Sequence, residues 1–237
     1  MSNLILVRHG QSEFNLEQRF TGFYDVELTS QGKAEAEYAG QLIKELNIEF
    51  EQYFTSKLKR ASHSLDIILK VLNRSNVVIN KAWELNERHY GDLTSLNKDQ
   101  MIKKHGAKQI SIWRRSYDIP PPPMSNQHLH RKNIYINIPK DKIRESESLK
   151  DTFERVVPYY KKKIEPLIRD KKNVFISAHG NSLRALCKEL FSISNEKIID
   201  FEIPTGNPLL IEFSDNLKVK SYKYLDSKRA KKILFNI

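Results

Sequence analysis

The chain alternates short apolar runs with longer segments whose apolar residues recur every three or four positions. Leu4 to Val7 is branched-rich and uninterrupted by polar residues, the pattern of a central strand covered on both faces. After a loop over 11–28, with Thr21-Gly22 as a turn signal, Thr29 can cap a helix carrying Ala39, Leu42, Ile43 and Leu46 on one face. Tyr53 to Thr55 reads as a second strand. It leads through Ser56 into a helix with Leu65, Ile68, Leu69 and Leu72 on one face and Arg60 in its first turn. Val77 to Ile79 reads as a third strand, and Trp83 to Leu85 continues towards a polar cluster, Asn86 to Tyr90. Val174 to Ala178 repeats the first pattern and runs through His179-Gly180 into a helix with Leu183, Leu186, Cys187 and Leu190. Leu209 to Phe213 and Leu217 to Tyr224 form an expected hairpin at the sheet edge, turning at Ser214-Asp215-Asn216.

Strands alternating with helices predict an α/β fold, a mainly parallel central sheet flanked by helices on both faces. Residues 91–146 break that rhythm. They hold a short helix from about Lys98 to His105, then Trp113-Arg114-Arg115, then Pro120 to Pro123, which fits neither a helix nor a central strand. The segment reads as a lid or substrate-binding insertion within one domain spanning 1–237. Regular structure resumes at Glu147 with a helix carrying Leu149, Val156, Tyr160 and Ile164, which Pro158 and Pro166 are expected to bend or end. A basic tail, 225–237, closes the chain.

Composition narrows the classes. At 237 residues and 39% hydrophobic content the chain can bury a full core. No run approaches the roughly 18 apolar residues of a membrane span, and the apolar start is too short for a signal peptide, so a cytoplasmic location is expected. The single cysteine, Cys187, excludes an internal disulfide and a cysteine-based zinc knuckle, and its apolar helical setting predicts a buried thiol. A net charge of +11 raises nucleic acid as a partner. The charge is scattered, however, over Lys161 to Lys163, Lys171 to Lys172 and Lys228 to Lys232, with no nucleic-acid motif. Solvated faces explain most of it, and the arginines suit a small anionic substrate instead.

Parallel strands bring their carboxyl ends to one side, where ligands bind. That edge gathers Arg8, His9, Arg60 and His179, with Glu87 arriving from the polar cluster, and Gly10 allows a turn or a close approach to ligand. Guanidinium forks and a helix N-terminus suit a phosphoryl group, neutral histidine is a competent nucleophile, and a nearby carboxylate can move a hydroxyl proton. Two histidines and a glutamate also match a zinc triad, but the adjacent arginines disfavour a divalent cation, so no metal is expected. Glu87 paired merely with Arg88, and a pocket retained only for binding, are the plainer alternatives. His63, His105, His128 and His130 are expected at the surface and are assigned no role.

Taken together the motifs resemble a known family. They are Leu-Val-Arg-His-Gly-x-Ser-x-x-Asn at 6–15, Phe-Thr-Gly-Phe-Tyr-Asp-Val-x-Leu at 20–28 and Lys-Arg-Ala at 59–61. Leu-Asn-Glu-Arg-His-Tyr-Gly at 85–91, Leu-Asn-Lys at 96–98 and Trp-Arg-Arg-Ser-Tyr-Asp at 113–118 follow. Glu-Ser-Leu-Lys-Asp at 147–151, Ala-His-Gly-Asn-Ser-Leu-Arg-Ala at 178–185 and Ile-Pro-Thr-Gly at 203–206 complete the set. The ordered set resembles the 2,3-bisphosphoglycerate-dependent phosphoglycerate mutases of the histidine phosphatase superfamily.

The resemblance implies that 3-phosphoglycerate and 2-phosphoglycerate interconvert through a phosphorylated His9 primed by 2,3-bisphosphoglycerate, without a metal. It implies that Arg8, Arg60 and His179 hold the transferring phosphoryl group, with Asn15 and the backbone at Gly180 and Asn181 beside it. Glu87 would be the general acid and base. Thr21, Gly22, Tyr90, Lys98, Arg114 and Arg115 would bind the rest of the substrate. A homodimer or homotetramer is implied too. The chain departs from the family pattern at Gln11, where Glu is usual, and at Thr94-Ser95, which replaces Gln-Gly. It also lacks acids over 125–137 and has a short tail after Tyr224. These departures bear on whether the phosphoryl group passes to substrate or to water, and a phosphatase on the same fold is the nearest rival.

Overall fold

The computed structural model describes residues 2–74, 76–136 and 138–230. In chain order the elements are β1 (Ser2–Arg8), α1 (Glu13–Leu16), α2 (Ser30–Lys44), β2 (Gln52–Ser56), α3 (Lys59–Val71) and β3 (Ile79–Ala82). There follow α4 (Lys98–His105), α5 (Ala107–Arg115), α6 (Arg131–Ile134), α7 (Leu149–Lys163) and α8 (Glu165–Arg169). The last are β4 (Val174–Ala178), α9 (Gly180–Leu190), β5 (Leu209–Phe213) and β6 (Val219–Tyr224), with short 3-10 turns at Trp83–Leu85, Gly91–Leu93, Lys140–Lys142 and Lys197–Ile199.

The strands form one sheet in the order β3-β2-β4-β1-β5-β6. The β3, β2, β4 and β1 strands are mutually parallel, and β5 and β6 run antiparallel beside β1. Alternate residues of the central strands feed two cores. Leu4, Leu6, Phe54 and Ile176 face α7 and α9, whereas Ile5, Val7, Tyr53 and Phe175 face α2 and α3. This two-sided burial is why Leu4 to Val7 shows no polar alternation. The register sets Arg8 opposite Ala178, so His9 and His179 leave the sheet side by side, and His9 N–H donates to Ala178 O at 3.0 Å.

Several local expectations shift. The third strand is Ile79–Ala82, because the ladder to β2 begins at Tyr53 opposite Ile79 and leaves Val78 in solvent. In the expected edge hairpin, β5 lies inside the sheet against β1 and only β6 is an edge. The 11–28 loop contains α1, nucleated by a capping box between Ser12 and Asn15. Pro158 sits within α7 on its exposed side, and the buried Val156, Val157 and Tyr160 carry the helix on to Lys163. Pro166 opens α8, where its missing N–H costs nothing. Thr29 caps α2 as expected, its hydroxyl accepting from Gly32 N–H at 3.0 Å. Cys187 is buried.

The 91–146 segment packs rather than dangles. Leu93, Met101 and Ile110 cluster with Phe20, while Met124, Ile134 and Ile138 cluster with Phe23. The long loop after β1 is therefore the floor on which the insertion rests. His63 and His105 are exposed, His128 and His130 half-buried. Of the expected basic tail, 225–230 is described and 231–237 lies outside the described residues.

Candidate active site

A cavity of about 170 Å³ opens at the carboxyl edge of the parallel strands. Arg8, Asn15, Thr21, Gly22, Glu87, Tyr90, Lys98, Arg114, Arg115, Gly180 and Asn181 all line it. His9, Arg60 and His179 are buried beneath. The two histidine rings lie 5.0 Å apart, centroid to centroid.

His9 Nδ1 lies 2.7 Å from Gly10 O. A carbonyl only accepts, so Nδ1 carries the proton and Nε2 keeps its lone pair. Burial, then Arg60 and Arg8 close by, push the His9 pKa well below its ordinary value, which keeps the ring neutral at pH 7. His179 is held neutral in the same way, by burial, Arg60 and His9. Its Nε2 lies 2.7 Å from Ser56 Oγ, and its Nδ1 is buried without a protein partner among the described residues.

Gly10 is required for packing: a Cβ there would sit 2.0 Å from Gly32 O, where α2 closes on the loop after β1. Gly22 has φ of 55°, which bends its carbonyl towards Arg60. Arg60 donates to Gly22 O at 2.8 Å and Tyr24 O at 2.9 Å. Burial lowers its pKa to about 10, so it stays charged. Arg8 donates through Nη1 to Ile203 O at 2.9 Å, and its buried Nε has no protein partner among the described residues.

Glu87 Oε1 accepts two backbone N–H groups, Arg88 at 2.8 Å and Asn181 at 3.1 Å. The side chain is thus oriented by backbone rather than spent on an ion pair with Arg88. A Cβ on Gly180 would lie 3.5 Å from the Arg8 guanidinium and 3.7 Å from Glu87 Oε2, filling the space between them. Asn15 Oδ1 accepts from Ser12 N–H at 3.1 Å, which leaves its amide N–H groups for the cavity. Burial and Arg114 lower the Lys98 pKa. Burial and Glu87 resist ionisation of Tyr90, but Arg88, 4.7 Å over its ring, together with Arg114, outweighs them and holds the phenol below its usual range.

The structure adds residues that the motifs did not single out. Arg184 lines the wall, donating to Asn181 Oδ1 at 2.8 Å while its Nε has no partner among the described residues. Arg19 and Glu202 complete the rim, and Glu202 pairs with Arg115. Arg184 was visible as the fourth residue after Gly180, one helical turn on, where it returns to the same face. Arg19 carried no signal. Gln11, where a carboxylate is usual in the family, turns its Oε1 to the Thr29 hydroxyl at 2.9 Å, at the start of α2. Among the described residues no group of three or more His, Cys, Asp or Glu is placed to hold a metal ion.

A buried His after β1, a second after β4, and arginines around both form a recognisable set. The sequence profile of the histidine phosphatase superfamily (branch 1) matches residues 4–222. The chain belongs to that superfamily. It is 51% identical over 237 residues, 99% of either chain, to the 2,3-bisphosphoglycerate-dependent phosphoglycerate mutase of Pelagibacter ubique (strain HTCC1062). It is 52% identical over 225 residues to the enzyme of that name from Xylella fastidiosa (strain 9a5c), covering 94% of this chain and 90% of the relative. Among solved structures it shares its fold with a mycobacterial glucosyl-3-phosphoglycerate phosphatase, at TM-score 0.69 and 20% identity, covering 94% of this chain and 97% of the other.

Proposed function

We propose that this chain interconverts 3-phosphoglycerate and 2-phosphoglycerate, in glycolysis and gluconeogenesis, through a phosphorylated His9 primed by 2,3-bisphosphoglycerate. The observation that carries the reading is a neutral His9 with Nε2 free, set beneath a cavity walled by Arg8, Arg19, Lys98, Arg114, Arg115 and Arg184. The primer fits that wall. Among the described residues the buried Nε groups of Arg8 and Arg184, both on that wall, have no protein partner, and Gly180 leaves room between Arg8 and Glu87. Buried donors of this kind are costly unless a ligand satisfies them.

When bound, 2,3-bisphosphoglycerate supplies the phosphoryl group that His9 carries. Arg8, Arg60 and His179 surround that group, with Asn15 and the backbone at Gly180 and Asn181 beside it. The fixed positive charge of Arg8 and Arg60 stabilises the charge spread over the equatorial oxygens, and neutral His179 and the amide N–H groups add dipoles. Glu87 Oε2 takes the proton of the attacking substrate hydroxyl and returns it in the reverse transfer. Thr21, Gly22 and Tyr90 shape the pocket, and Lys98, Arg114 and Arg115 hold the carboxylate and the distal phosphate. The insertion over the cavity keeps water from phospho-His9, so isomerisation outruns hydrolysis. The reading calls for no metal, no nucleic acid and no membrane, and for a cytoplasmic homodimer or homotetramer. Among the described residues no helix is long and apolar enough to cross a membrane.

The test is to incubate the protein with 3-phosphoglycerate, with and without a trace of 2,3-bisphosphoglycerate, and to follow 2-phosphoglycerate and free phosphate together. Primer-dependent isomer with little phosphate supports the reading. Phosphate without isomer moves the chain to a phosphatase.

A further inference from the structure

The Ile203-Pro204-Thr205-Gly206 turn takes no part in the chemistry above, yet it touches the end of the catalytic strand twice. Ile203 O accepts from Arg8 Nη1 at 2.9 Å, and Gly206 N–H donates to Arg8 O at 2.9 Å. On one side the turn rests on α2, where a Cβ on Gly206 would lie 2.7 Å from Glu35 Cβ. Glu35 in turn accepts Gln11 N–H at 2.8 Å, two residues past His9. The other side is held by the segment after β6. Arg229 donates through Nη1 to Thr205 O at 3.2 Å and through Nη2 to Gly206 O at 3.1 Å. Its Nε donates to Asp226 Oδ2 at 2.7 Å. Asp226 is fixed as well: its N–H donates to Asn207 Oδ1 at 3.1 Å, and its carbonyl accepts from Asn207 Nδ2 at 2.9 Å.

From this chain of contacts we infer that Arg229, oriented by Asp226, is a positioning residue for phosphoryl transfer. It clamps the 203–206 turn so that Ile203 O holds the Arg8 guanidinium in place beside His9. Arg229 does not line the cavity, so it acts on Arg8 only through the turn. A lysine cannot replace it, because the geometry needs a planar fork reaching two carbonyls while a third N–H meets a carboxylate. The turnover arm of the test rests on the proposed mutase reaction.

The experiment compares Arg229→Ala, Arg229→Lys, Asp226→Asn and the control Lys228→Ala, whose backbone contact to Asp226 is kept. Misplacing Arg8 should lower kcat in Arg229→Ala by about 10- to 100-fold. KM for 3-phosphoglycerate should stay within about twofold, since no substrate contact is lost. Arg229→Lys should recover little, Asp226→Asn should fall between, and added ethylguanidinium should restore part of the Arg229→Ala rate. Lys228→Ala should match wild type. Calorimetric binding of vanadate, which needs no turnover, should weaken in Arg229→Ala by about tenfold. If the wild type turns over no phosphoglycerate, the mutase reading fails and vanadate binding alone decides the clamp. Wild-type kcat and vanadate affinity in Arg229→Ala would overturn it. So would a loss that tracks the unfolded fraction and resists guanidinium rescue.

Discussion

Replacing Arg155 by Met should unfold the protein from its active-site side. Arg155 lies on α7, and all five of its N–H donors are used. Nε and Nη2 fork onto the two carboxylate oxygens of Glu147 at 2.7 and 2.8 Å. Nη1 donates to Glu84 O at 2.6 Å and Asn86 O at 3.1 Å, and Nη2 to Glu87 O at 2.9 Å. One guanidinium thus pins the backbone that presents Glu87. Methionine keeps much of the stem against Phe23 and Trp83 but strands a buried Glu147 carboxylate and three carbonyls. Removing one partner of a buried pair costs about 3–5 kcal/mol. Urea unfolding read by tryptophan fluorescence measures the loss at pH 7.

The Arg155–Glu147 pair also sets a pH dependence. Burial opposes the Glu147 charge, but Arg155 outweighs it and holds the carboxyl below its usual range. In the wild type the pair therefore stabilises above the unfolded carboxylate pKa, and that stability is lost as pH falls through the lower folded value. In Arg155→Met the sign reverses, because the stranded carboxyl is raised and its cost disappears on protonation. The gap between variant and wild type should narrow at acid pH, and a second change, Glu147→Gln, should recover about 1–3 kcal/mol at pH 7. The folded fraction should also lose kcat by about tenfold or more as Glu87 drifts. A variant within about 1 kcal/mol of wild type and equally active would refute the argument.

Three further outcomes follow from the site. The phosphoenzyme should carry its phosphoryl group on Nε2 of His9, since Nδ1 is committed to Gly10 O; phosphorus and nitrogen NMR would detect an Nδ1 adduct and so contradict the assignment. His9 and His179 are held well below the ordinary 6.5, and burial takes His89 down to about 4. Only the unfolded chain then takes up these protons just below pH 6.5, so stability is complete above that pH and falls beneath it. The decline should reach at most about 4 kcal/mol per pH unit for the three together, and a flat urea midpoint from pH 7 to 5 would count against it. Removing Arg114 or Arg115 should each raise KM by about 30-fold, the equivalent of about 2 kcal/mol. Arg115→Ala should also break its ion pair with the rim carboxylate Glu202; unchanged KM in both would make them structural.

Much of the architecture was legible because burial leaves a mark on residue type. The apolar runs ending in His9-Gly10 and His179-Gly180 identified the two strands whose ends meet at the cavity, and parallel topology then brought them together. Register was not legible, nor was the start of β3, where Val77 and Val78 are apolar but the ladder begins at Ile79. The helix α5 was missed although Ile110 and Trp113 stand three apart, since a nine-residue helix offers few periodic positions. Ser56 was visible only as a helix entry, yet its hydroxyl sets the His179 ring.

The arginines show most clearly where sequence reasoning ends. A charged residue is read as surface by default, and a count of +11 cannot say which cations are solvated. The fold divides them by what their buried N–H groups meet. Arg155 is fully partnered by the protein, so it needs no ligand and holds the site in shape. Arg8 and Arg184, which line the cavity, keep buried Nε groups with no protein partner among the described residues. A folded protein tolerates such desolvated donors where an anion completes them, because each one left unmade costs about 1–3 kcal/mol. The unfinished hydrogen bonds thus mark the arginines that, on the proposed reading, would meet phosphate, a distinction that residue type and spacing do not carry.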